Sequence, residues 1–217
     1  MSRTRLILAI EPVIRASGSE EYDAGARRAA LAVAMRAAQH FPRWAPGAEP
    51  PMETLSAEDR KLVLLGPSPR QALRVCLYLR AHLWVGARHM DLRIGAGIGQ
   101  VNLVGDVDLR YSSGPAFQAA DRALASLGRV ARMAPGWPEP PVHAPRTRAL
   151  FALADAVARR WTVTQADLAR DALFPGAGTL ERLAREAGRE PRSVVKSWRD
   201  AGGWAIEEAI AVLEGER

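Results

Sequence analysis

Six basic side chains are concentrated between residues 182 and 199, near the end of the chain, and only two acidic residues interrupt them. Arginine and lysine clusters with a neighbouring hydroxyl group are typical of surfaces that hold phosphates and reach base edges. This chemistry predicts contact with duplex DNA. The candidate contact residues are Arg182, Arg185, Arg189, Arg192, Ser193, Lys196 and Arg199.

The sequence around this basic cluster predicts a helix-turn-helix that would present it. Thr179 is placed to cap a first helix, and Gly188 is placed to end it at positive φ. Pro191 begins the next helix and Val194 anchors it, a spacing typical of two helices that cross over a short turn. The predicted inner face of the first helix consists of Leu180, Leu183, Ala184 and Ala187. A solvated face of a helical protein-interaction domain would carry the same charges, so protein binding remains an alternative.

Three glycines alternate along LRIGAGIGQV, the segment 92–101, at Gly95, Gly97 and Gly99. Because successive side chains of a β-strand point to opposite faces, all three glycines share one face. Glycine inside a strand marks a place where another group approaches the backbone closely. That group is either a ligand or a neighbouring helix.

A second candidate ligand site precedes the helix predicted from Pro115 onwards. Ser112, Ser113 and Gly114 lead directly into that helix. Helix N-termini attract anions because their first N–H groups are unpaired, so these residues could hold an anion. The alternative is an ordinary helix cap formed by Ser112 or Ser113.

The elements that must position these residues follow a recognisable order in the first part of the chain. A short strand at 6–10 is followed by a helix over 19–41, a hairpin over 52–66, a helix over 68–87, the glycine strand and a helix over 112–133. This is the β-α-β-β-α-β order of the ferredoxin-like fold, followed by one further helix. The sequence therefore predicts an α+β N-terminal domain over residues 1–133.

The remainder of the chain is predicted to be helical. The segment 134–145 holds five prolines and is interpreted as an interdomain linker. Residues 146–217 would form an all-α domain that contains the helix-turn-helix. Its helices are predicted at 146–160, 164–173, 179–187, 191–200 and 203–214.

Composition limits the classes of protein that fit. The formal net charge of +6 is compatible with a nucleic-acid partner. A single cysteine, Cys76, excludes an intrachain disulfide and is predicted to lie in the core. The apolar run near the N-terminus is too short for a signal peptide, and no run approaches the length of a membrane span. We therefore expect a cytoplasmic protein without a membrane partner.

The glycine strand, followed by SSGPAFQAADRAL, resembles the SatD family, whose members carry an R-x-G-x-G-x-G strand and a turn of the D-G-P-A type. The run W-x-I-E-E-A-I at 204–210 resembles the final helix of that family. The resemblance covers most of the chain, and its most specific parts are residues 92–124 and 179–210. It implies a ferredoxin-like palm similar to class III nucleotide cyclases and GGDEF proteins, followed by a helix-turn-helix.

The resemblance also implies a place for metal and nucleotide. In the cyclase-like palm, carboxylates after the first strand and in the central hairpin would hold Mg²⁺ against a triphosphate. The matching residues here are Glu11, Glu58 and Asp59. The same palm would place the glycine face either beneath a helix, which we favour, or beneath a bound nucleotide.

This sequence departs from the family pattern around those carboxylates. Pro12 follows the first one directly, and Ala57 replaces the hairpin glycine. Arg60 and Lys61 replace the Phe-Gln part of the motif, and Ser113 replaces an aspartate. These departures predict a degenerate domain without catalysis. No cofactor is expected, and Mg²⁺ at the remaining carboxylates is the one candidate.

The leading hypothesis is a DNA-binding regulator whose degenerate cyclase-like domain serves dimerisation or ligand sensing. It would act as a homodimer on double-stranded DNA, with a nucleotide as a candidate ligand. Two alternatives remain. One is an active Mg²⁺-dependent nucleotidyl cyclase or transferase with a regulatory helical tail, and the other is a protein-interaction adaptor.

Overall fold

The computed structural model describes residues 3–14, 24–44, 53–55, 61–102 and 109–215. Within these ranges the chain is an α+β protein with one mixed sheet. The strands are β1 (Arg3–Ile14), β2 (Glu53–Leu55), β3 (Leu62–Gly66), β4 (Met90–Val101) and β5 (Met133–Gly136). The α-helices are α1 (Ala24–Ala38), α2 (Ala72–Gly86), α3 (Pro115–Ser126), α4 (Ala144–Ala158), α5 (Val163–Ala172), α6 (Leu180–Glu186), α7 (Pro191–Asp200) and α8 (Gly203–Glu214).

The five strands lie side by side in the order β2-β3-β1-β4-β5. The first four are antiparallel to their neighbours, whereas β5 runs parallel to β4. The longest ladder joins β1 to β4 and extends from the pair Arg3 and Val101 to the pair Ile14 and Met90. The β-α-β-β-α-β order of elements expected from the sequence is present, and α3 and β5 follow it.

The helix predicted over 112–133 ends already at Ser126, and strand β5 begins at Met133 and occupies the first part of the segment predicted to be a linker. The prediction excluded a central strand because of the prolines, and β5 is indeed at the edge of the sheet. Pro135 pairs with Ala96 there, and an edge strand tolerates a residue that cannot donate a ladder hydrogen bond. Helix α4 then begins at Ala144, two residues before its predicted start.

The two faces of the sheet are packed differently. Leu6, Leu8 and Ile10 of β1 belong to a large cluster that also contains side chains of α1 and α2. Ile7 and Ala9, on the opposite face, belong to a smaller cluster with α3. Residues 6–10 of β1 are buried on both faces, which explains the uninterrupted run LILAI.

The C-terminal helices share the large cluster with the sheet. Helix α2 lies between them, and most of its residues are buried. Trp161 contacts Trp84 of α2 edge to face, with ring centroids 6.4 Å apart, and its Nε1 donates to the carbonyl of Ala201 at 2.9 Å. Arg74 of α2 forms two 2.7 Å hydrogen bonds with Glu214 of α8. The α/β half and the helical half therefore pack as one hydrophobic core.

A buried ionic network crosses the same junction. Arg80 of α2 donates from Nε and Nη2 to both carboxylate oxygens of Asp91 in β4, each at 2.9 Å. Its Nη1 donates to Asp155 of α4 at 2.7 Å. The backbone N–H of Arg132, next to β5, donates to the other oxygen of Asp155. One arginine thus joins the sheet to the first helix of the C-terminal half.

None of the helices in the described ranges combines the length and the apolar character that crossing a bilayer requires.

Candidate nucleic-acid interface

Helices α6 and α7 form the hairpin that the basic sequence predicts. The hydroxyl of Thr179 accepts a hydrogen bond from the N–H of Arg182 at 3.3 Å and caps α6, as expected. Gly188 has a φ of +62°, and the N–H of Arg189 donates to the carbonyl of Ala184 at 2.8 Å. This six-to-one bond at a left-handed glycine is a Schellman motif, which ends α6 and fixes the direction of the turn.

The start of α7 is fixed by two local features. Pro191 occupies the first turn, as the sequence predicts. The carboxylate of Glu190 accepts a hydrogen bond from the N–H of Ser193 at 2.7 Å and so caps the helix. Sequence reasoning did not identify Glu190 as a cap, because glutamate is an uncommon residue at that position.

One face of α7 is anchored in the core. Val194 and Trp198, four residues apart, are buried. The ring of Trp198 lies against Gly203, where a Cβ would overlap it, and its Nε1 donates to Glu207 at 3.0 Å. The prediction that Val194 anchors this helix in the core is confirmed. Trp198 was missed, although its i, i+4 spacing from Val194 would have revealed it.

The opposite face of α7 is exposed and basic. Arg192, Lys196 and Arg199 lie four and three residues apart, so they form one row along the helix, about 10 Å long. Ser193, next to the first of them, is also exposed. The exposed fractions of the Lys196 and Arg199 side chains are 68% and 65%.

The remaining candidate contacts lie on α6 and in the turn. Arg182, Arg185 and Arg189 are exposed, so all seven candidate DNA contacts are accessible. The predicted inner face of α6 is confirmed at Leu180 and Ala184, which are buried, and at the partly buried Leu183. Ala187 is exposed, and that part of the prediction is wrong because the helix already ends there.

Most of these cations have acidic neighbours on the surface. Lys196 donates to Asp200 at 2.7 Å, Arg182 donates to Glu186 at 2.8 Å, and Arg189 lies 3.6 Å from Asp167. Arg192 forms no ion pair with any residue that the structure describes. The hydrogen bond from Lys196 is the largest of several effects that lower the pKa of Asp200. Exposed ion pairs of this kind contribute little free energy, since water and salt screen them.

The glycine strand is covered by helix α3. A Cβ at Gly95 would overlap the carbonyl oxygen of Ala120, and one at Gly97 would overlap that of Ala116. A Cβ at Gly99 would meet the ring of Pro138. The glycines therefore let a helix backbone lie directly on the strand. A nucleotide cannot lie on Gly95 and Gly97, because helix α3 fills that space.

The predicted anion site before α3 has a different local structure from the one expected. Gly114, with a φ of +136°, is the N-cap residue, so the cap position that the alternative interpretation assigned to Ser112 or Ser113 is occupied by neither. The backbone of Ser113 pairs with Asn102 in both directions. A Cβ at Gly114 would also meet the carbonyl oxygen of Gln100. Glycine is required at this turn by close backbone contact.

Of the three candidate metal ligands, Glu11 alone lies within the described residues. Glu11 lies opposite Arg93 in the β1–β4 ladder and accepts a 3.2 Å hydrogen bond from it. Glu58 and Asp59 lie outside the described residues. Within those residues, no group of three or more His, Cys, Asp or Glu side chains could hold a metal ion.

A cluster of aromatic and histidine side chains lies where α1 and α5 meet α2. His40 shares a 2.7 Å hydrogen bond with Tyr78, and His82 packs edge-on against Tyr78. Burial, followed by the charges of Arg170 and His40, lowers the pKa of His82 to about 4. Burial raises the pKa of Tyr78 to about 12 and that of Cys76, also on α2, to about 12. Cys76 is buried as predicted, and its thiol is held protonated.

A scan of protein-family models matched nothing in the chain, and searches of curated proteins and of solved structures found no match either. The function is therefore inferred from the geometry of the molecule.

Proposed function

We propose that this protein is a DNA-binding regulator that places helix α7 in the major groove of duplex DNA. The observation that carries the proposal is the division of α7 into two faces. Val194 and Trp198 fix one face in the core, while Arg192, Lys196 and Arg199 form an exposed row on the other. A rigid helix with a basic outer row is how helix-turn-helix proteins meet phosphates and base edges.

The surface ion pairs support this use of the cations. Among the described residues, Lys196 and Arg182 pair with exposed carboxylates, which a phosphate oxygen can replace at little cost in free energy. Binding to DNA also releases the counterions condensed on its phosphates, which favours the exchange. The short side chain of Ser193 leaves space for a base edge beside Arg192.

The composition of this surface favours nucleic acid over a protein partner. The outward positions of α7 carry charged and hydroxyl groups. Protein interfaces are enriched in aromatic side chains at their centre and depleted of lysine. The exposed Trp204 belongs to α8 and not to the α6–α7 hairpin.

We infer that the α/β half is a ferredoxin-like scaffold of the kind that the SatD resemblance implies. The supporting observation is the antiparallel strand order β2-β3-β1-β4 with α1 and α2 contributing to the same core. In this proposal the scaffold also pairs two copies of the chain. Ten residues of α7 span about 15 Å, which is enough for one half-site, so a longer operator needs a second copy.

The decisive experiment measures the binding of the full chain to a panel of duplex DNAs at several salt concentrations. The double variant Arg192→Ala, Lys196→Ala should bind at least ten-fold more weakly. The slope of log affinity against log salt should fall by about 2, because two fewer phosphates are neutralised. The control Arg129→Ala, Arg146→Ala removes the same charge from exposed positions outside α6 and α7.

The proposal is contradicted if the α7 variant binds like the wild type, or if the control loses as much affinity. Sedimentation of the complex tests the paired arrangement at the same time. We expect two chains per duplex. A single chain per duplex at saturating protein would contradict the dimer and leave the contact surface to be judged by the variants.

A further inference from the structure

A cleft of about 640 Å³ lies between α3, β5 and α4, where the α/β half meets the helical half. No residue of α6 or α7 lines it. Its walls are mostly apolar, and its volume is typical of sites for small molecules. The apolar side chains that form these walls include Ala123, Leu127, Val130, Met133, Trp137 and Ala152.

Three arginines surround these apolar walls, one from α3 and two from the region of α4. Arg122 donates to the carbonyl of Trp137 at 3.4 Å. The guanidinium of Arg148 lies 5.9 Å from the centre of the Trp137 ring. Arg159 follows the last residue of α4. Each arginine carries a permanent positive charge, so the rim of the cleft attracts anions.

The single carboxylate in the lining does not offset this charge. Asp155 accepts from Arg80 on one oxygen and from the N–H of Arg132 on the other. It is buried and belongs to the ionic network described above. Arg122 and Arg148 form no ion pair within the described part of the chain, and Arg159 has only its 3.7 Å pair with Asp155, so all three guanidinium groups can turn to a ligand.

Arg159 adds an independent observation that points to a ligand in this cleft. Its Nε is buried and has no hydrogen-bond partner within the described part of the chain. Its ion pair with Asp155, at 3.7 Å, is longer than a hydrogen bond. A buried donor without an acceptor costs free energy, and a small shift of this side chain towards an anion in the cleft would remove that cost.

We propose that this cleft binds a small organic anion that has an apolar body and a phosphate or carboxylate head group. The head group is held by Arg122, Arg148 and Arg159. The body lies against Leu127 and Trp137. Arginine matches both head groups because its N–H donors lie in one plane, like the oxygens that they contact. Since the walls come from both halves of the chain, the bound molecule also stabilises their contact.

Calorimetric titration of the full chain with three naphthalene probes tests this proposal. 1-Naphthyl phosphate and 1-naphthoate carry the two candidate head groups, and 1-naphthol is the neutral counterpart. At least one anion should bind ten-fold or more tightly than 1-naphthol, and the tighter of the two identifies the natural head group. Equal binding of all three probes, or no binding at millimolar concentration, would overturn the proposal.

Paired variants locate the site. Ala152→Glu places a carboxylate in the cleft from an exposed position of α4, and it should weaken anion binding at least ten-fold by repulsion. Ala156→Glu, one turn further along the same helix and outside the cleft, is the matched control. Arg148→Gln should also weaken binding, whereas Arg160→Gln, which removes an exposed arginine outside the cleft, should not. Unchanged affinity in both cleft variants, or equal losses in the controls, would contradict the assignment.

Discussion

Arginine and lysine meet carboxylates in two very different regions of this molecule. At the junction of α2, β4 and α4, Arg80 is held by Asp91 and Asp155, and the exposed fraction of each side chain is below 5%. On α7, Lys196 meets Asp200 where both side chains are largely exposed, at 68% and 42%. The distances are similar, 2.7 to 2.9 Å, but the surroundings are not.

The difference in surroundings decides what each pair can do. Burial alone would lower the pKa of Arg80, but the attraction of Asp91 and Asp155 outweighs burial and raises it. Such a pair cannot exchange its partners, because either charge alone in the interior would be very costly. The exposed pair on α7 can exchange, because water replaces either partner. The buried network therefore fixes the architecture, and the exposed pairs leave the basic row accessible to the proposed DNA partner.

The largest effect is expected where the buried pair is broken. Arg80→Met removes the cation that hydrogen-bonds to both buried carboxylates, and it should lower the free energy of unfolding by about 3–5 kcal/mol. Urea denaturation followed by circular dichroism measures the loss. The exposed counterpart Arg182→Met removes the partner of Glu186 and should cost less than about 1 kcal/mol. Similar losses for the two variants would refute the distinction between the regions.

The comparison extends to uncharged contacts in the interior. Gly97→Ala would place a methyl group against the backbone of α3, and overpacking of this kind costs about 1–3 kcal/mol. Gly128→Ala is the matched control, because nothing lies within 4 Å of a Cβ at that position. Thermal unfolding of the two variants gives the difference. If Gly97→Ala were as stable as the control, α3 would not be in direct contact with the strand.

A smaller effect is expected from the interior histidine. The pKa of His82 is about 4 in the folded chain, against an ordinary value of 6.5, so the unfolded chain binds more protons between these pH values. The contribution of neutral His82 to the free energy of unfolding is fully present above pH 6.5. It should fall on the order of 1–2 kcal/mol as the pH drops towards 4, because the ring is partly exposed.

Urea titrations across this pH range compare the wild type with His82→Phe, which keeps an aromatic ring next to Tyr78. The variant should show a shallower loss of stability in acid. His89→Phe, which removes an exposed histidine, provides the control. An unchanged pH profile in His82→Phe would show that this group does not stay neutral in the folded chain.

The smallest effect on stability is expected at the proposed DNA surface. Lys196→Ala breaks only an exposed i, i+4 pair and should change the free energy of unfolding by about 0.5 kcal/mol or less. The same substitution should weaken DNA binding measurably. A loss of stability comparable to that of Arg80→Met would mean that the pair with Asp200 is structural, and the surface would then be less available to phosphates.

The sequence predicted the C-terminal helices within about two residues, because each has a periodic apolar face and a distinct cap or turn residue. The sequence also predicted the order in which β1 to β4 follow one another along the chain, for the same reason. It did not reveal the network of Arg80, Asp91 and Asp155, since charged residues read as solvated until tertiary contacts bury them. It also did not reveal β5, because two of its four residues, Pro135 and Gly136, are usually turn residues.

The site could be predicted in part. The exposed basic row on α7 follows from helical periodicity around Val194. The cleft beside Trp137 does not, because its arginines come from segments that are brought together only by the fold, and Arg122 and Arg159 are far apart in the chain. Only the structure shows what covers the glycine face at Gly95 and Gly97, since such a strand accommodates either a ligand or a helix.

Helix α2, buried on almost every side, makes the two halves poor candidates for independent exchange during evolution. The residues that cover part of it belong to the sheet and to α1, and those that cover the rest belong to α4, α5 and α8. A recombination event within the segment 134–145 would strip α2 of half its cover, unless the incoming helices matched Trp84 and Arg80. The hairpin formed by α6 and α7 is therefore expected to be inherited together with this sheet and to diverge chiefly at its exposed row.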